Sequence, residues 1–299
     1  MPAIYLDREL TDDRRRAALY GGSLFVYSPR ASTVALCAFA REMIDAAFAP
    51  LVPEDAHLSL PVERYAQILG ELKPAFIHHP ESKRLIRALL ADLGCDPERT
   101  YFDVPRLRSS TPGGYLTTGI AYAFHPHRDT WYSAPQCQQN WWLPVNELTA
   151  DNGLGFHPQY WTRPIKNGSR NYDYAEWNRT SRFDAVKHIG KDTREQPRAE
   201  EPFDWSDEIR PLFPPGGLIV FSGAQMHSSV ENTSARTRFS VDFRIVHMAE
   251  VETGGGAPNV DSDCTGTTMG DYLRCSDLAH VPQEWIERHE KGFGRQAIR

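Results

Sequence analysis

Hydrophobic residues in the first hundred positions recur at helical spacing. In residues 32–48, 61–72 and 80–94, apolar side chains return every three or four positions, which places them on one face of a helix. A proline near the start of residues 80–94 and a glycine at their end fit the preferences of helix termini. The pattern predicts a mainly helical N-terminal part, residues 1–100.

From about residue 101 the pattern changes to short segments of β-branched and aromatic residues bounded by prolines and glycines. Short strands at regular spacing are typical of a sandwich or a barrel. Helices followed by strands, without regular alternation, favour an α+β fold over a parallel doubly wound sheet. The predicted strands are residues 115–124, 139–145, 217–222 and 237–247.

A long polar segment, residues 162–210, interrupts the predicted strands. Within it, residues 163–198 hold nine Lys or Arg against five Asp or Glu, although the whole chain has a net charge of −6. A loop of this length in a compact domain is usually a lid, a binding loop or disorder, and its aromatic residues argue against disorder. We therefore expect one domain with a core of residues 101–247, a lid insertion at 162–210 and a C-terminal extension, residues 248–299.

Composition and charge exclude several classes of partner. The 299 residues are 40% hydrophobic and 24% charged, and the negative net charge gives no global basic field for nucleic acid. The longest apolar runs are far shorter than the ~20 residues of a membrane span, and the N-terminus lacks the apolar segment of a signal peptide. Five scattered cysteines indicate reduced thiols. These features predict a cytoplasmic protein and leave its oligomeric state open.

Two histidines and an aspartate lie close together in residues 124–132. On a strand, His127 and Asp129 project to the same face, because side chains two positions apart do so. His227, which follows a predicted strand, is the expected third ligand. Two histidines and one carboxylate leave three positions open on a metal, which suits Fe(II) that must bind a cosubstrate and O2.

His125 competes for the same site, since it shares the face of His127 and a His-x-His pair can bind a metal. Three ligands on one strand would leave no role for His227. We therefore expect His125 to have a structural role beside the site.

The predicted strand at residues 237–247 has one apolar and one polar face, the polar face carrying Arg238, Ser240, Asp242 and Arg244. Such a face is ordinary where it meets solvent, whereas inside a barrel it carries functional groups. Arg238 follows His227 by eleven residues, and its guanidinium matches a carboxylate bidentately.

Six elements follow one another in a fixed order: His127-Arg128-Asp129, Trp142, Asn152-Gly153, His227-Ser228-Ser229, Asn232-Thr233-Ser234 and Arg238-Phe239-Ser240. In this order and spacing they resemble the phytanoyl-CoA dioxygenase-like branch of the Fe(II)/2-oxoglutarate-dependent oxygenases, over roughly residues 115–247. Two departures, PQYW at 158–161 in place of Pro-Gly-Ser-His and Gly216-Gly217 in place of Gly-Asp, lie outside the metal ligands and bear on the subfamily and the substrate.

The resemblance implies a double-stranded β-helix, that is, a jelly-roll or cupin-like barrel with the N-terminal helices packed on one sheet. It also implies that iron is bound by His127, Asp129 and His227. Arg238 would then bind the distal carboxylate of 2-oxoglutarate, and the residues expected to assist it are Ser229, Trp142 and Ser240.

The reaction implied by the resemblance is hydroxylation of an unactivated C–H bond of a small molecule, with O2 consumed and succinate and CO2 released. Natural products and amino-acid or lipid derivatives are the substrate classes. Desaturation, cyclisation and epimerisation begin with the same removal of hydrogen. Halogenation is not expected, because relatives that transfer chloride have Gly or Ala at the position of Asp129.

Substrate contacts are expected from Thr130, Trp131, Tyr132 and Arg244. The basic segment 162–210 is either a contact for an anionic substrate or a solvated basic loop. Two alternatives of other classes remain. One is a binding module that has lost turnover, and the other is a zinc hydrolase, since the same three ligands suit zinc. An intact set of cosubstrate residues argues against the first, and the second gives Arg238 and Ser229 no purpose.

Overall fold

The N-terminal part of the chain holds two short strands and one short helix, followed by three longer helices. The structure is a computed structural model, and it describes residues 3–116, 125–180 and 196–295. The elements before residue 100 are β1 (Ile4–Leu6), α1 (Asp12–Tyr20), β2 (Leu24–Tyr27), α2 (Ala31–Phe48), α3 (Val62–His78) and α4 (Pro80–Asp92).

The remaining elements are mostly strands. They are β3 (Thr100–Phe102), β4 (Arg106–Ser110), β5 (Gln139–Pro144), β6 (Leu154–Phe156), α5 (Tyr174–Thr180), β7 (Leu218–Ser222), β8 (His227–Ser229), β9 (Arg238–His247), α6 (Met248–Thr253), β10 (Leu273–Arg274) and α7 (Gln283–Glu290). Among the described residues, no helix combines the length and the apolar character that crossing a bilayer requires.

Eight strands form the main sheet, in the order β1-β2-β7-β5-β9-β3-β10, with β4 also paired to β9. The β1–β2 pair is parallel and the other pairs are antiparallel. The ten-residue strand β9 is paired to β5 along one edge and to β3 and β4 along the other. Strand β9 is therefore a central strand, and its polar side chains project from the middle of one face of the sheet.

Helices α2 and α3 lie against one face of the main sheet, and α4 packs on these two helices. Their apolar stripes meet the apolar face of β9 and neighbouring strands, and each fully buried Leu, Ile or Phe contributes about 1.5–3 kcal/mol to stability. Residues of this core include Leu36, Ile44, Leu69, Phe76, Leu89, Phe25, Trp141, Phe239, Val241 and Phe243.

A small antiparallel sheet, β6 with β8, lies on the other side of the main sheet. A second apolar cluster joins the two sheets, with Leu154 and Phe156 from β6 against Trp142, Ile219 and Phe221 of the main sheet. A single β-bridge adds His127 to the edge of β8, opposite His227. The polar face of β9 and the small sheet therefore face the same interior space.

The α+β class predicted from the sequence is confirmed. The strands expected at 139–145, 217–222 and 237–247 form β5, β7 and β9, whereas most of the strand expected at 115–124 lies outside the described residues. The structure adds β1 and β2 within the part expected to be mainly helical. Strand β2 was missed because all four of its residues are buried, so it lacks the alternation that identifies a strand.

Candidate metal centre and its cavity

One carboxylate and two imidazoles converge at a single point. Ligand atoms of His127, Asp129 and His227 all lie within 4.8 Å of one another. The Nε2 atoms of His127 and His227 are 3.4 Å and 3.9 Å from Asp129 Oδ1. The three residues are between 6% and 8% exposed, so a metal ion held here would be largely shielded from water.

Backbone pairing holds the two histidines side by side. The N–H of His127 donates to the carbonyl of His227 (2.9 Å), the reverse bond measures 3.0 Å, and the ring centroids are 4.4 Å apart. The extended backbone ends at Arg128, and Asp129 begins a 3-10 turn that runs to Tyr132. The N–H of Asp129 donates to the carbonyl of Gly223 (2.8 Å), which fixes the start of that turn.

The same two histidines are held in one tautomer. Nδ1 of His127 lies 2.7 Å from the carbonyl oxygen of His125, and Nδ1 of His227 lies 2.9 Å from that of Gln225. A carbonyl oxygen can only accept, so each Nδ1 carries the hydrogen and each Nε2 keeps a lone pair for a metal. Burial, followed by the nearby His127, lowers the pKa of His227 to about 4, which keeps its imidazole neutral at pH 7.

The second oxygen of Asp129 is held by two amides. Gln138 Nε2 and Asn140 Nδ2 each donate to Asp129 Oδ2 at 2.7 Å, while Arg244 Nε lies 3.9 Å from it. Burial raises the pKa of Asp129, but its contact with the ring of His127 and the charge of Arg244 outweigh burial and hold the pKa well below its usual range. Asp129 is therefore an anion, and its Oδ1 faces the Nε2 atoms of His127 and His227.

Residues beside the ligands take separate roles. His125 is exposed, and its ring is not part of the ligand cluster; it contributes its backbone carbonyl. Arg128 points to the opposite side and is 1% exposed, with its Nε 3.0 Å from Asp261 Oδ1 and its Nη1 2.7 Å from the carbonyl of Ala224.

Arg238 is a buried cation in the same interior space. Its Nε donates to the carbonyl of Asn152 (2.9 Å), its Nη1 donates to Ser240 Oγ (2.6 Å), and its Cζ lies 5.3 Å from the ring centre of Trp142. Burial lowers its pKa to about 10, which leaves the guanidinium charged at pH 7. Among the described residues, the hydrogen bonds engage Nε and Nη1, so Nη2 can serve a carboxylate ligand.

A cavity of about 480 Å³ connects these groups. One wall is formed by charged side chains of β4, β9 and α3, and another by aromatic rings from the segment after Asp129 and from residues 172–177. The lining includes His127, Asp129, His227, Ser229, Arg238, Trp142, Arg244, Arg106, Arg108, Lys73, Asp103, Asp242, Tyr132, Tyr172, Tyr174 and Trp177.

The four residues expected to contact a substrate are divided by the structure. Tyr132 and Arg244 line the cavity. Thr130 and Trp131 are not among the described residues that line it: the carbonyl of Thr130 accepts from Ser262 Oγ, and the indole of Trp131 donates to Asp261 Oδ1 (2.7 Å). The 3-10 turn causes this division, because strand alternation stops at Asp129.

Gln138, Asn140 and Asp103 are site residues that sequence reasoning did not identify. Gln138 and Asn140 are buried polar residues beside the apolar pair Trp141 and Trp142, and a buried amide in such a strand needs a partner. That signal was present in the sequence. Asp103 lies in a loop between β3 and β4, where no periodicity marks it.

No protein-family model and no curated protein matches the chain. Among solved structures, EvdO2 from Micromonospora carbonacea var. aurantiaca, complexed with 2-oxoglutarate, is 15% identical over 81% of this chain and 93% of its own, with a TM-score of 0.47. The non-heme alpha ketoglutarate dependent epimerase SnoN and carbocyclase SnoK, both from nogalamycin biosynthesis, are 13% and 14% identical. They cover 78% and 80% of this chain and 82% and 84% of their own, with TM-scores of 0.39 and 0.38. These similarities lie below the level that establishes a family or a function.

Proposed function

We propose that the chain is a non-haem Fe(II)/2-oxoglutarate-dependent oxygenase of the phytanoyl-CoA dioxygenase-like family, acting on a small molecule. The observation that carries the proposal is the shared cavity of the three metal ligands and the buried Arg238. A zinc hydrolase needs the ligands but has no use for a desolvated guanidinium in the same cavity. An oxygenase of this class needs both.

The ligand set fits Fe(II). Two imidazoles and one carboxylate occupy three positions of a metal, and the other three are left for a bidentate cosubstrate and O2. Asp129 fills the position that a halide would need, so we propose oxygenation and not halogenation. When bound, Fe(II) with 2-oxoglutarate supplies O2 activation coupled to the formation of succinate and CO2, and with it the removal of hydrogen from an unreactive C–H bond.

Arg238 binds the distal carboxylate of 2-oxoglutarate in this proposal. A carboxylate in this buried position would form charge-assisted hydrogen bonds, which are shorter and about twice as strong as neutral ones. Ser240 orients the guanidinium through its hydrogen bond to Nη1, and Trp142 packs beside it. Ser229, on strand β8 next to the metal ligand His227, lines the cavity and assists the same carboxylate.

The substrate occupies the remainder of the cavity in this proposal, with Tyr132 and Arg244 in contact with it. The ring of Tyr132 lies edge-on to His127, with centroids 5.4 Å apart, and edge-on to Tyr172 at the same distance. Trp177 continues this row of rings, 5.9 Å from Tyr172. Hydroxylation of a natural product or an amino-acid or lipid derivative is the reaction we propose; desaturation, ring closure and epimerisation are its alternatives.

We extend the proposal to the architecture. The main and small sheets would be the two halves of a double-stranded β-helix, residues 162–210 its lid, and residues 1–299 one oxygenase domain. All five cysteines are free and buried, which supports a reducing, cytoplasmic location.

Anaerobic titration of the metal-free protein with Fe(II), with and without 2-oxoglutarate, tests the function. We expect a visible metal-to-ligand band that requires both additions. Asp129→Ala should weaken the band and abolish any substrate oxidation, whereas Asp207→Ala, a change at an exposed aspartate, should leave both intact. Zn(II) binding with no band from Fe(II) and 2-oxoglutarate would contradict the oxygenase and favour the hydrolase.

A further inference from the structure

Two arginines share one carboxylate in the charged wall of the cavity. Arg106 Nη1 and Arg244 Nη1 both donate to Asp103 Oδ2, the latter at 3.3 Å. Asp103 is 3% exposed, and all three side chains line the cavity. Two guanidiniums against one carboxylate leave one positive charge of this group uncompensated.

Among the described residues, the other carboxylates closest to this group are shared with further partners. Asp242 is paired with Arg108, whose Nε and Nη2 lie 2.6 Å and 3.4 Å from its two oxygens. Asp129, which approaches Arg244 at 3.9 Å, presents its other oxygen to the metal point. Buried charges in proteins are normally paired, so the Arg106–Asp103–Arg244 group is suited to an anionic ligand.

Strand pairing directs Arg106 into the cavity together with other cations. In the β4–β9 register, Arg106 lies opposite Asp242, and Arg108 lies opposite Ser240. Arg106 and Arg108 are two positions apart, so they project from the same face of β4. Lys73 of α3 lines the same wall, and burial together with the charge of Arg108 lowers its pKa to about 7.

We propose that Arg106, with Arg244 behind it, binds a carboxylate or phosphate group carried by the substrate. This inference rests on the proposed oxygenase function, because the bound anion would fix which C–H bond of the substrate lies at the metal. Some cations of the basic segment 162–210 pair with acids of the same segment that do not line the cavity, as in Arg163–Asp204 and Arg170–Glu200.

Calorimetry on the full chain, loaded anaerobically with Fe(II) and saturating 2-oxoglutarate, tests the subsite. The probes are phenyl phosphate, benzoate and the neutral benzyl alcohol, so the two sources of the anion are measured separately. We expect at least one of the two anions to bind more tightly than benzyl alcohol. Arg106→Met should weaken the binding of that anion at least about tenfold, as loss of a charge-assisted hydrogen bond predicts.

Two further variants separate the charge from a structural effect. Arg106→Lys should restore part of the affinity, and Asp103→Asn should tighten the binding of the anion, because it removes the competing carboxylate. The control Arg84→Met changes an exposed arginine of α4, which is ion-paired with Glu81. It should leave the affinity for the anion unchanged.

The outcomes distinguish this inference from the function on which it rests. A normal visible band combined with anion binding that is equal in wild type and Arg106→Met, or no tighter than that of benzyl alcohol, overturns the anion subsite alone. Weaker binding in Asp103→Asn than in wild type also overturns it. Absence of the band in the wild-type protein overturns the oxygenase instead.

Discussion

Asp129 has two oxygens in different surroundings, one facing the candidate metal site and the other held by the protein. Its Oδ1 faces the two histidines, while its Oδ2 accepts from Gln138 and Asn140. Gln138 is in turn held by the hydroxyl of Tyr272, which donates to its Oε1 at 2.8 Å. The carboxylate therefore has one oxygen fixed by neutral donors and one available as a ligand. The His-x-Asp pattern predicted Asp129 as a candidate ligand, but it held no information on the residues that orient it.

Arg238→Met should weaken 2-oxoglutarate binding about 10- to 100-fold, because hydrogen bonds to charged groups contribute about 1.5–3 kcal/mol each. The methionine keeps much of the apolar stem and removes the charge. Titration of the Fe(II)-loaded variant with 2-oxoglutarate, followed by the visible band, measures the change in affinity.

Fe(II) affinity should stay within about twofold in the same variant, since Arg238 is not a metal ligand. Arg64→Met, at an exposed position of α3, is the matched control. An unchanged affinity for 2-oxoglutarate in Arg238→Met would show that the cosubstrate carboxylate is bound elsewhere.

At the scale of elements, the segment after β9 is part of the site and not an appendage to it. Asp261 accepts from Arg128, from the indole of Trp131 and from the N–H of Ile165 (3.1 Å). It thereby ties the metal-ligand turn to the start of the 162–210 segment. The partners are separated by roughly a hundred residues, and sequence periodicity reports only on neighbours within one helix or strand, so this contact could not be predicted from a single sequence.

Asp261→Asn should lower the free energy of unfolding by about 3–5 kcal/mol, because it leaves the Arg128 guanidinium buried without a counter-charge. The side chains of this ion pair are 1% and 5% exposed. Urea denaturation of the metal-free protein measures the loss. Fe(II) affinity should fall as well, since Arg128 lies between His127 and Asp129.

Glu81→Gln, which breaks the exposed ion pair with Arg84, provides the matched control and should cost less than about 1 kcal/mol. Equal effects of Asp261→Asn and Glu81→Gln on unfolding would mean that the buried pair does not hold this part of the structure.

For the whole molecule, the sequence predicted what depends on local patterns. The apolar stripes of α2, α3 and α4 and the alternation in β9 were readable, because each reports which side of an element is buried. The pairing of β2 with β7 in the sheet could not be predicted, because these strands are about two hundred residues apart in the sequence. The same holds for the cavity, whose walls are brought together by that topology. The basic excess in the 162–210 segment predicted an anionic substrate, and of its cations Arg163 and Arg170 pair with Asp204 and Glu200.

Stability of the metal-free protein should fall as the pH drops from about 6.5 towards 4. Burial lowers the pKa of both His157 and His227 to about 4, from an ordinary value of 6.5. Below pH 6.5 the unfolded chain therefore binds protons that the folded chain excludes, and each histidine removes up to about 1.4 kcal/mol of stability per pH unit. Carboxylates with lowered pKa add to this loss only nearer pH 4.

His157→Gln tests this origin of acid sensitivity, because His157 lies behind the small sheet, with Nε2 3.3 Å from Ser228 Oγ, and is not a metal ligand. Urea denaturation between pH 7.5 and 4.5 measures the free energy of unfolding. On acidification this free energy should fall less in His157→Gln than in wild type, and it should fall as in wild type in His78→Gln, whose histidine is exposed. Saturating Zn(II) should raise stability at pH 7 and lose that effect on acidification, because protons compete for the ligand nitrogens. If the free energy of unfolding falls equally with pH in wild type and in His157→Gln, the acid-sensitive groups lie elsewhere in the molecule.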